Sequence, residues 1–273
     1  MRLREGKGRE VKVLVTFAVP AEFAPWRARH KFRRIPNKLL SEYRGRVFDR
    51  DVTVLLTGVG GNFAAARVRL LMQISPASPK FDFCVSSGLA GSLRAQHLLS
   101  DILVAHEIQA ETVHHPWRVS PEISSDPELA ILAADCGAKV AGMFFTSSRI
   151  VQTANDKSNL GVIADAVEME SFDILVEAKG WGIRAVAIRA IGDSVTENLP
   201  LDFSKTLTKL GEVSLGRVAK EVALQPGQLP ALVRFGKQSR RAAVALADFL
   251  DRYVNALDSI GLPREPRSEV AAV

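Results

Sequence analysis

The chain has 273 residues, a formal net charge of +6, and hydrophobic and charged fractions of 47% and 24%. These values are typical of a soluble globular protein with one large domain, and they exclude a disordered or membrane-embedded chain. The positive charge is concentrated at residues 2–12, 27–34 and 234–241. No nucleic-acid module with interleaved aromatic residues accompanies these clusters, so we expect solvated faces and no nucleic-acid partner.

The cysteine content and the start of the sequence indicate the cellular compartment. Cys84 and Cys136 have neither the spacing of metal ligands nor that of a disulfide framework. The basic N-terminus leads into a short strand-like run without the pattern of a cleaved signal peptide, and no apolar stretch approaches the length of a membrane span. We therefore expect a cytoplasmic protein.

Strand and helix patterns alternate along the first four fifths of the chain. Short apolar runs predict strands at Val11–Val19, Val52–Thr57, Phe81–Ser86, Asp101–His106, Lys139–Thr146 and Ala185–Ile191. Helical patterns begin at Pro20 and cover Phe63–Ile74 and Phe172–Trp181. This alternation, with Gly-rich turns after the strands, predicts a single α/β domain over residues 11–224. It would have three α/β/α layers and a mainly parallel central mixed sheet.

A separate pattern follows the linker-like Gln225–Gln228. Apolar residues recur there at three- and four-residue spacing, which predicts a C-terminal amphipathic helical extension over residues 229–258. One interpretation docks this helix on its own domain or on a second subunit. In the other interpretation, the basic face of this helix binds a membrane surface or a partner protein. Residues 1–10 and 263–273 are predicted to be flexible tails.

Acids and an arginine lie at the ends of the predicted elements. Glu22 follows the first strand, Glu170 precedes a helix, and Arg189 and Asp193 end the last strand. Ligands of open α/β sheets bind at the carboxyl ends of the strands, and acids in different environments suit glycosidic chemistry. Taken singly, each acid could equally be a helix cap, a turn residue or a salt-bridge partner.

Other common sites are not indicated by the sequence. Gly58–Gly61 has neither the dinucleotide-binding spacing nor the lysine of a phosphate-binding loop. His106, His114 and His115 do not form the helical two-histidine zinc pattern. We therefore expect no metal site and no nucleotide cofactor.

Five motifs together resemble a known family. The strongest are Ala166–Glu170 and Val186–Asp193, and the weaker ones are Thr57–Gly60 with Ala64–Ala66, Ser87–Gly91 and Ser100–Val104. In this order, from about Val11 to Val218, the chain resembles the nucleoside phosphorylase-I family. That family includes purine nucleoside phosphorylases and methylthioadenosine/S-adenosylhomocysteine nucleosidases.

The resemblance implies roles for individual residues. Asp193 would be the general acid that protonates N7 of the departing purine, which needs a raised pKa. The substrate-binding residues it implies are Met169 and Glu170 at the ribose, and the backbone of Leu89, Ala90, Gly91 and Gly58. No metal or organic cofactor is implied. Family members are usually dimers or hexamers, so the resemblance also implies a homo-oligomer.

The identity of the nucleophile rests on Glu22 and Arg189. Glu22 matches the acid with which the nucleosidase branch activates water, and Arg189 matches an arginine near that water. A carboxylate at this place would repel phosphate. We therefore expect hydrolysis of the N-glycosidic bond of a purine nucleoside, a 5′-modified adenosine, through an oxocarbenium-like transition state.

Some features depart from the nucleosidase pattern and leave alternatives open. The segment Ile108–Glu122 is shorter than the family's usual loop, and Thr146–Thr153 offers Arg149 and Gln152 instead of a stacking aromatic residue. The basic C-terminal extension resembles hopanoid-associated phosphorylases, which act on an adenosylated lipid with phosphate as co-substrate. Phosphorolysis is therefore the second hypothesis, and a non-catalytic nucleoside-binding protein is the third.

Overall fold

The structure, a computed structural model, describes residues 10–74, 81–111, 121–208 and 210–260. Its strands are β1 Lys12–Phe17, β2 Arg33–Arg34, β3 Ser41–Val47, β4 Arg50–Leu56, β5 Phe83–Ser92, β6 Ile102–Ala110, β7 Glu122–Ser124, β8 Lys139–Thr146, β9 Ala166–Glu168 and β10 Arg184–Asp193. Its helices are α1 Pro20–Arg29, α2 Gly61–Gln73, α3 Pro127–Asp135, α4 Ala154–Leu160, α5 Ser171–Gly180, α6 Leu215–Leu224 and α7 Leu229–Ala256. Apart from Glu10, the predicted tails lie outside the described residues.

The strands of the described residues form one mixed sheet. Its order is β10-β6-β8-β9-β5-β1-β4-β3-β2, with β7 beside β6, and β5 also pairs with β10. Five strands, from β10 to β5 in this order, therefore close into a ring. Parallel pairs join β1 to β4 and β5, β5 to β10, and β8 to β6 and β9. The predicted α/β fold with a central mixed sheet is confirmed.

Strand β5 pairs with three neighbouring strands and so connects this ring to the rest of the sheet. It pairs with β1 through Phe83–Ser86, with β10 along almost its whole length, and with β9 through Gly91 and Ser92. The second half of β5 consists mostly of Ser, Gly and Ala. Small residues let a strand bend and let neighbouring backbones approach closely, so β5 can serve three partners.

Helices cover both faces of the sheet. Along β1, Val13 and Val15 join one hydrophobic cluster and Leu14 joins the other, as the two-residue repeat of a strand requires. Helices α1, α3 and α7 pack on the first face, and α2 and α5 pack on the second. The result is the three-layer arrangement that the alternating pattern predicts.

The C-terminal helix α7 packs against the domain over its second half. Phe249, Leu250 and Tyr253 are fully buried there. The Trp26 indole donates a hydrogen bond of 2.7 Å to Asp251, and the Tyr253 hydroxyl donates one of 3.0 Å to the carbonyl of Leu129. These contacts agree with the interpretation of a helix docked on its own domain. Of the described helices, none combines the length and apolar character needed to cross a bilayer.

Candidate active site

A pocket of about 200 Å³ lies where β1, β5, β9 and β10 end beside the first turn of α1. It brings together seven of the nine predicted site residues, namely Glu22, Leu89, Ala90, Gly91, Met169, Glu170 and Asp193. The strands converge because β1, β5 and β10 run parallel, so their carboxyl ends meet at one edge. Arg189 and Gly58 do not line this pocket.

Glu22 sits in the first turn of α1 and also lines the pocket. Its Oε2 accepts hydrogen bonds from the backbone N–H groups of Ala18 (3.0 Å) and Val19 (3.2 Å), and its Oε1 accepts one from Leu89 (2.9 Å). A Cβ atom on Gly88 would lie 3.1 Å from Oε1, so the close approach favours glycine. Burial raises the pKa of Glu22, and the bond from Leu89 opposes that shift. Glu22 is therefore both a helix-start acid and a pocket carboxylate.

Arg189 lies beside the pocket, outside its lining, and its guanidinium group is close to Glu168 and Glu170. The side chain is 1% exposed, and Nη2 donates a 2.6 Å hydrogen bond to Oε2 of Glu168. Nη2 also lies 3.7 Å from Oε2 of Glu170. Arg189 does not line the pocket, because its ion pair with Glu168 holds the guanidinium beside the lining residues. Its charge opposes the effect of burial on the pKa of Glu22, and its place near the nucleophilic water stays a prediction.

Glu168 and Glu170 divide their roles by their partners. Glu168 accepts hydrogen bonds from Arg189 and from the backbone N–H groups of Glu170 and Ser171, at 3.0 and 2.7 Å, where α5 begins. Glu170 accepts one bond of 2.9 Å from the backbone N–H of Gly60. Burial, with the nearby Glu168 carboxylate, raises the pKa of Glu170 to about 8 against the attraction of Arg189. Both carboxylates line the pocket, but Glu168 is bound to the start of α5, whereas Glu170 is bound to the backbone of Gly60.

Gly58, the other predicted site residue that does not line the pocket, lies in the same region, and its contact with substrate stays a prediction. Gly58 donates a 2.9 Å hydrogen bond to the carbonyl of Ala18 and borders a neighbouring cavity together with Arg67. Its N–H is therefore committed to the backbone next to β1. Gly60, two residues later, is the glycine whose N–H reaches a pocket acid.

Asp193 ends β10 and is paired with a buried lysine. Its side chain is 16% exposed, and Oδ2 accepts a charged hydrogen bond from Nζ of Lys157 on α4. A Cβ atom on Gly91 would lie 3.1 Å from Oδ2, so glycine leaves room for this carboxyl group. Burial raises the pKa of Asp193, and the Lys157 charge opposes that shift. Asp193 is thus an acid in an environment unlike those of Glu22 and Glu170.

Comparison with known proteins identifies the family of this chain. The sequence profile of the phosphorylase superfamily matches residues 12–223. The chain belongs to this superfamily. A methylthioadenosine/S-adenosylhomocysteine nucleosidase of Glaesserella parasuis is 25% identical over 197 residues, which are 63% of this chain and 80% of the relative.

Solved structures of superfamily relatives share the fold. A Helicobacter pylori methylthioadenosine/S-adenosylhomocysteine nucleosidase with butyl-thio-DADMe-Immucillin-A matches with a TM-score of 0.69 and 19% identity, over 91% of this chain and 99% of that one. The H. pylori futalosine hydrolase matches with a TM-score of 0.67 and 19% identity, over 90% and 97%. This coverage exceeds residues 12–223, and only 11 residues precede that range, so the likeness continues into the C-terminal part of the chain.

Within this superfamily fold, the pocket also contains residues that were not predicted. Phe235 and Ser239 of α7 line it, and both belong to the apolar stripe that predicts the helix. Arg149 lines it as well, whereas Gln152 donates a 2.6 Å hydrogen bond to Asp202 instead. Lys157 has no signal in the sequence, because only the folded chain brings it to Asp193. Of the short segment Ile108–Glu122, residues 112–120 lie outside the described residues.

A larger, mainly apolar cavity of about 980 Å³ adjoins the pocket. It shares Glu22, Asp193 and Phe235 with the pocket. Its walls come from α1, from the segment between residues 199 and 213, and from the first half of α7. The acids therefore stand at the inner end of a broad apolar cleft.

Proposed function

We propose that this superfamily member is a nucleosidase that hydrolyses the N-glycosidic bond of a purine nucleoside, with a 5′-modified adenosine as substrate. The observation that carries the proposal is the meeting of Asp193, Glu170 and Glu22 in one pocket, each held by different partners. The sequence similarity to a nucleosidase over 197 residues supports the same reaction class. The steps below use no metal ion and no organic cofactor.

Asp193 is assigned to the leaving group. Its burial raises its pKa and so favours the protonated form that a general acid needs. The proton passes from the Asp193 carboxyl to N7 of the purine while the C1′–N9 electron pair leaves with the base. The sugar becomes an oxocarbenium ion, which nearby carboxylates stabilise.

Glu22 and Glu170 are assigned to the sugar side. Glu22 orients a water molecule and takes its proton as the water oxygen bonds to C1′. Glu170 binds the ribose hydroxyls, and Met169 lies against the ring. Arg189 holds Glu168, lies near Glu170, and is assigned to the side of the pocket where the water binds. The products are a free sugar and a neutral purine.

The charge of the pocket favours water over phosphate. The described residues that line it include Glu22, Glu168, Glu170 and Asp193, with Arg149 as the one basic side chain. Arg149 is exposed, whereas Glu22, Glu168 and Glu170 are buried. The Glu22 carboxylate, which must be ionised to act as the base, would repel an anionic nucleophile where solvation is poor.

The apolar cavity favours a particular kind of 5′ group. A methylthio group is far smaller than about 980 Å³, and a homocysteine group is charged. A long apolar 5′ substituent would fill the space and bury its own surface. This observation favours, as the second candidate, the lipid-bearing nucleosides on which hopanoid-associated phosphorylases act.

The proposal extends to where the enzyme works and what it contacts. We propose a cytoplasmic homo-oligomer that binds a small nucleoside and no nucleic acid. The basic residues of the first half of α7, Arg234, Lys237, Arg240 and Arg241, are exposed. Attraction to anionic lipid headgroups would bring this face to a membrane surface.

The decisive experiment measures base release. Purified protein is incubated with methylthioadenosine, S-adenosylhomocysteine and a 5′-alkylthioadenosine, with and without phosphate, and the products are separated by chromatography. We expect free adenine and the free sugar, at a rate that phosphate does not change. Accumulation of the sugar 1-phosphate would replace hydrolysis by phosphorolysis.

A negative result has its own meaning. If no purine nucleoside yields free base under either condition, the enzymatic proposal is wrong. Isothermal titration calorimetry with the same nucleosides then tests the third hypothesis, a binding protein without catalysis. Binding without turnover would support that hypothesis.

A further inference from the structure

Lys157 is a fully buried lysine whose position is fixed by three acceptors. Its Nζ donates to the carbonyls of Ser194 (3.0 Å) and Glu197 (2.9 Å), and its third bond goes to Oδ2 of Asp193. An ammonium group has three hydrogens, so all of its donors are used. The group therefore points at Asp193 in a single orientation.

The burial of this charge needs a reason. A buried ammonium ion is costly unless a charged and hydrogen-bonded partner compensates it. The described residues give Lys157 one carboxylate partner within ion-pair distance, and that partner is Asp193. Two of its three bonds go to neutral carbonyls of the loop that follows β10. The charge of Lys157 is thus directed at one atom of one pocket acid.

We propose that Lys157 is a positioning residue that orients Asp193 and stabilises the carboxylate formed when Asp193 gives its proton to the leaving base. The inference rests on the proposed function of Asp193. In the step itself the proton moves from the Asp193 carboxyl to N7, and Lys157 keeps all its protons. Lys157 changes only the free energy of the anion that remains.

Other charged groups around Asp193 do not supply this effect. Glu197, in the loop after β10, is itself an acid and cannot stabilise a second carboxylate. Its Oε1 accepts a 3.4 Å hydrogen bond from Nε2 of Gln238. The charged residues that line the pocket with Asp193 are Glu22, Glu168, Glu170 and Arg149. Arg149 is exposed to solvent, which weakens its field. Lys157 is the buried cation in direct contact with the carboxyl group.

This role predicts that two observables move in opposite directions. Without the Lys157 charge, Asp193 becomes a weaker acid, so the maximal kcat falls. The same change keeps Asp193 protonated to higher pH, so the alkaline limb of the kcat profile moves upward. A lysine that served only packing would lower the amount of folded enzyme and leave the limb in place.

The test compares Lys157→Met with the control Lys139→Met. Methionine has a similar length and no charge, and Lys139 forms a 2.6 Å ion pair with Asp101 on a side chain that is 52% exposed. kcat and KM are measured against pH on a nucleoside that the wild type cleaves. We expect Lys157→Met to lower kcat by about 10- to 100-fold with little change in KM, and to move the alkaline limb to higher pH. Lys139→Met should change neither.

A double-variant cycle with Asp193→Asn provides the second measurement. If Lys157 acts through Asp193, then Lys157→Met causes no further loss of kcat once Asp193 is Asn. The double variant has no unpaired buried charge, so it answers the question even if Lys157→Met alone does not fold. Losses that multiply in the double variant would overturn the proposal, as would an unmoved alkaline limb.

These outcomes separate the inference from the function on which it rests. If the wild type releases no base from any nucleoside, both are overturned. If the wild type releases base, but the alkaline limb of Lys157→Met does not move or the losses multiply in the double variant, only the role of Lys157 is overturned.

Discussion

The acids of the pocket differ in the groups that hold them. Glu168 accepts hydrogen bonds from Nη2 of Arg189 and from two backbone N–H groups. Glu170 has one N–H group and a carboxylate neighbour, so burial prevails and its pKa rises to about 8. Asp193 has a lysine. Neighbouring carboxyl groups with different partners can therefore take different roles in one reaction.

The raised pKa of Glu170 predicts how stability depends on pH. The ordinary pKa of this carboxyl is 4.5, and in the folded protein it is about 8. Between these values the folded state binds more protons than the unfolded state. The contribution of Glu170 to stability is therefore fully present below pH 4.5 and is lost as the pH rises through 8.

Urea unfolding at about pH 5 and about pH 8 measures this effect. We expect the free energy of unfolding of the wild type to decrease from about pH 5 to about pH 8. The decrease should be smaller in Glu170→Gln, which has no carboxyl group at this position. Glu212→Gln is the matched control, because the Glu212 side chain is 60% exposed. An equal decrease in wild type and Glu170→Gln would show that Glu170 is ionised throughout this range.

For single residues, the sequence predicts which acids lie together better than it predicts their partners. Glu22, Glu170 and Asp193 follow strands or open helices, so the edge of the sheet on which they lie can be foreseen. Lys157 and Arg189 could not be placed in the same way. Their positions depend on contacts with Asp193 and Glu168, which lie 36 and 21 residues away along the chain.

The helix α7 combines two halves with different surroundings. No residue from 229 to 241 is buried, whereas Ala242, Ala243 and Leu246 begin a buried stripe that continues to the end of the helix. The stripe is visible in the sequence as a three- and four-residue repeat. The repeat alone does not show which half of α7 is packed. Helix α1 and strand β10 pack against the second half, and the first half borders the apolar cavity.

This division predicts unequal effects of substitutions along α7. Phe249 is fully buried and stacks on Tyr253 with ring centres 5.6 Å apart, whereas Val233 is 49% exposed. We expect Phe249→Ala to lower the free energy of unfolding by about 3–5 kcal/mol, because it leaves a cavity in the core. Val233→Ala should change it by less than about 0.5 kcal/mol. Chemical denaturation of both variants checks this, and similar losses would show that the first half is also packed.

Strands β3 and β9 were not predicted from the sequence. Strand β3, Ser41–Val47, carries Glu42, Arg44 and Arg46 among few apolar residues, yet it pairs along its length with β4. Strand β9 has three residues and lacks the length of a recognisable pattern. In both cases pairing with a neighbouring strand, which lies elsewhere in the sequence, overrides the weak local preference.

For the whole molecule, the site is an acidic pocket that opens into an apolar cleft. The pocket is formed by the sheet and the start of α1, and the cleft is formed by helices and the segment from 199 to 213. The cleft could not be foreseen, because its walls are three separate stretches of chain that only the fold brings together. From its size and composition we expect the 5′ substituent to be the main determinant of substrate preference.

A series of 5′-alkylthioadenosines with increasing chain length tests this preference. Each methylene buried in the cleft contributes about 0.8 kcal/mol, so KM should fall about fourfold per added carbon until the cleft is filled. Leu232→Ser is the matched variant, because Leu232 lines the cleft and not the pocket. It should weaken the gain with chain length and leave the turnover of methylthioadenosine unchanged. A KM that rises with chain length would exclude the cleft as the 5′ site.

The bonding of strand β5 has a consequence for how this site can vary. Leu89 donates its N–H to Glu22, and Gly91, two residues later, leaves room for Asp193. The spacing between the contact with Glu22 and the contact with Asp193 is therefore set by the rise of an extended backbone, about 6.6 Å over two residues. An insertion or deletion in this stretch would displace both sides at once. We therefore expect changes of length to be tolerated in the helices that surround the cleft and not in β5 between Gly88 and Gly91.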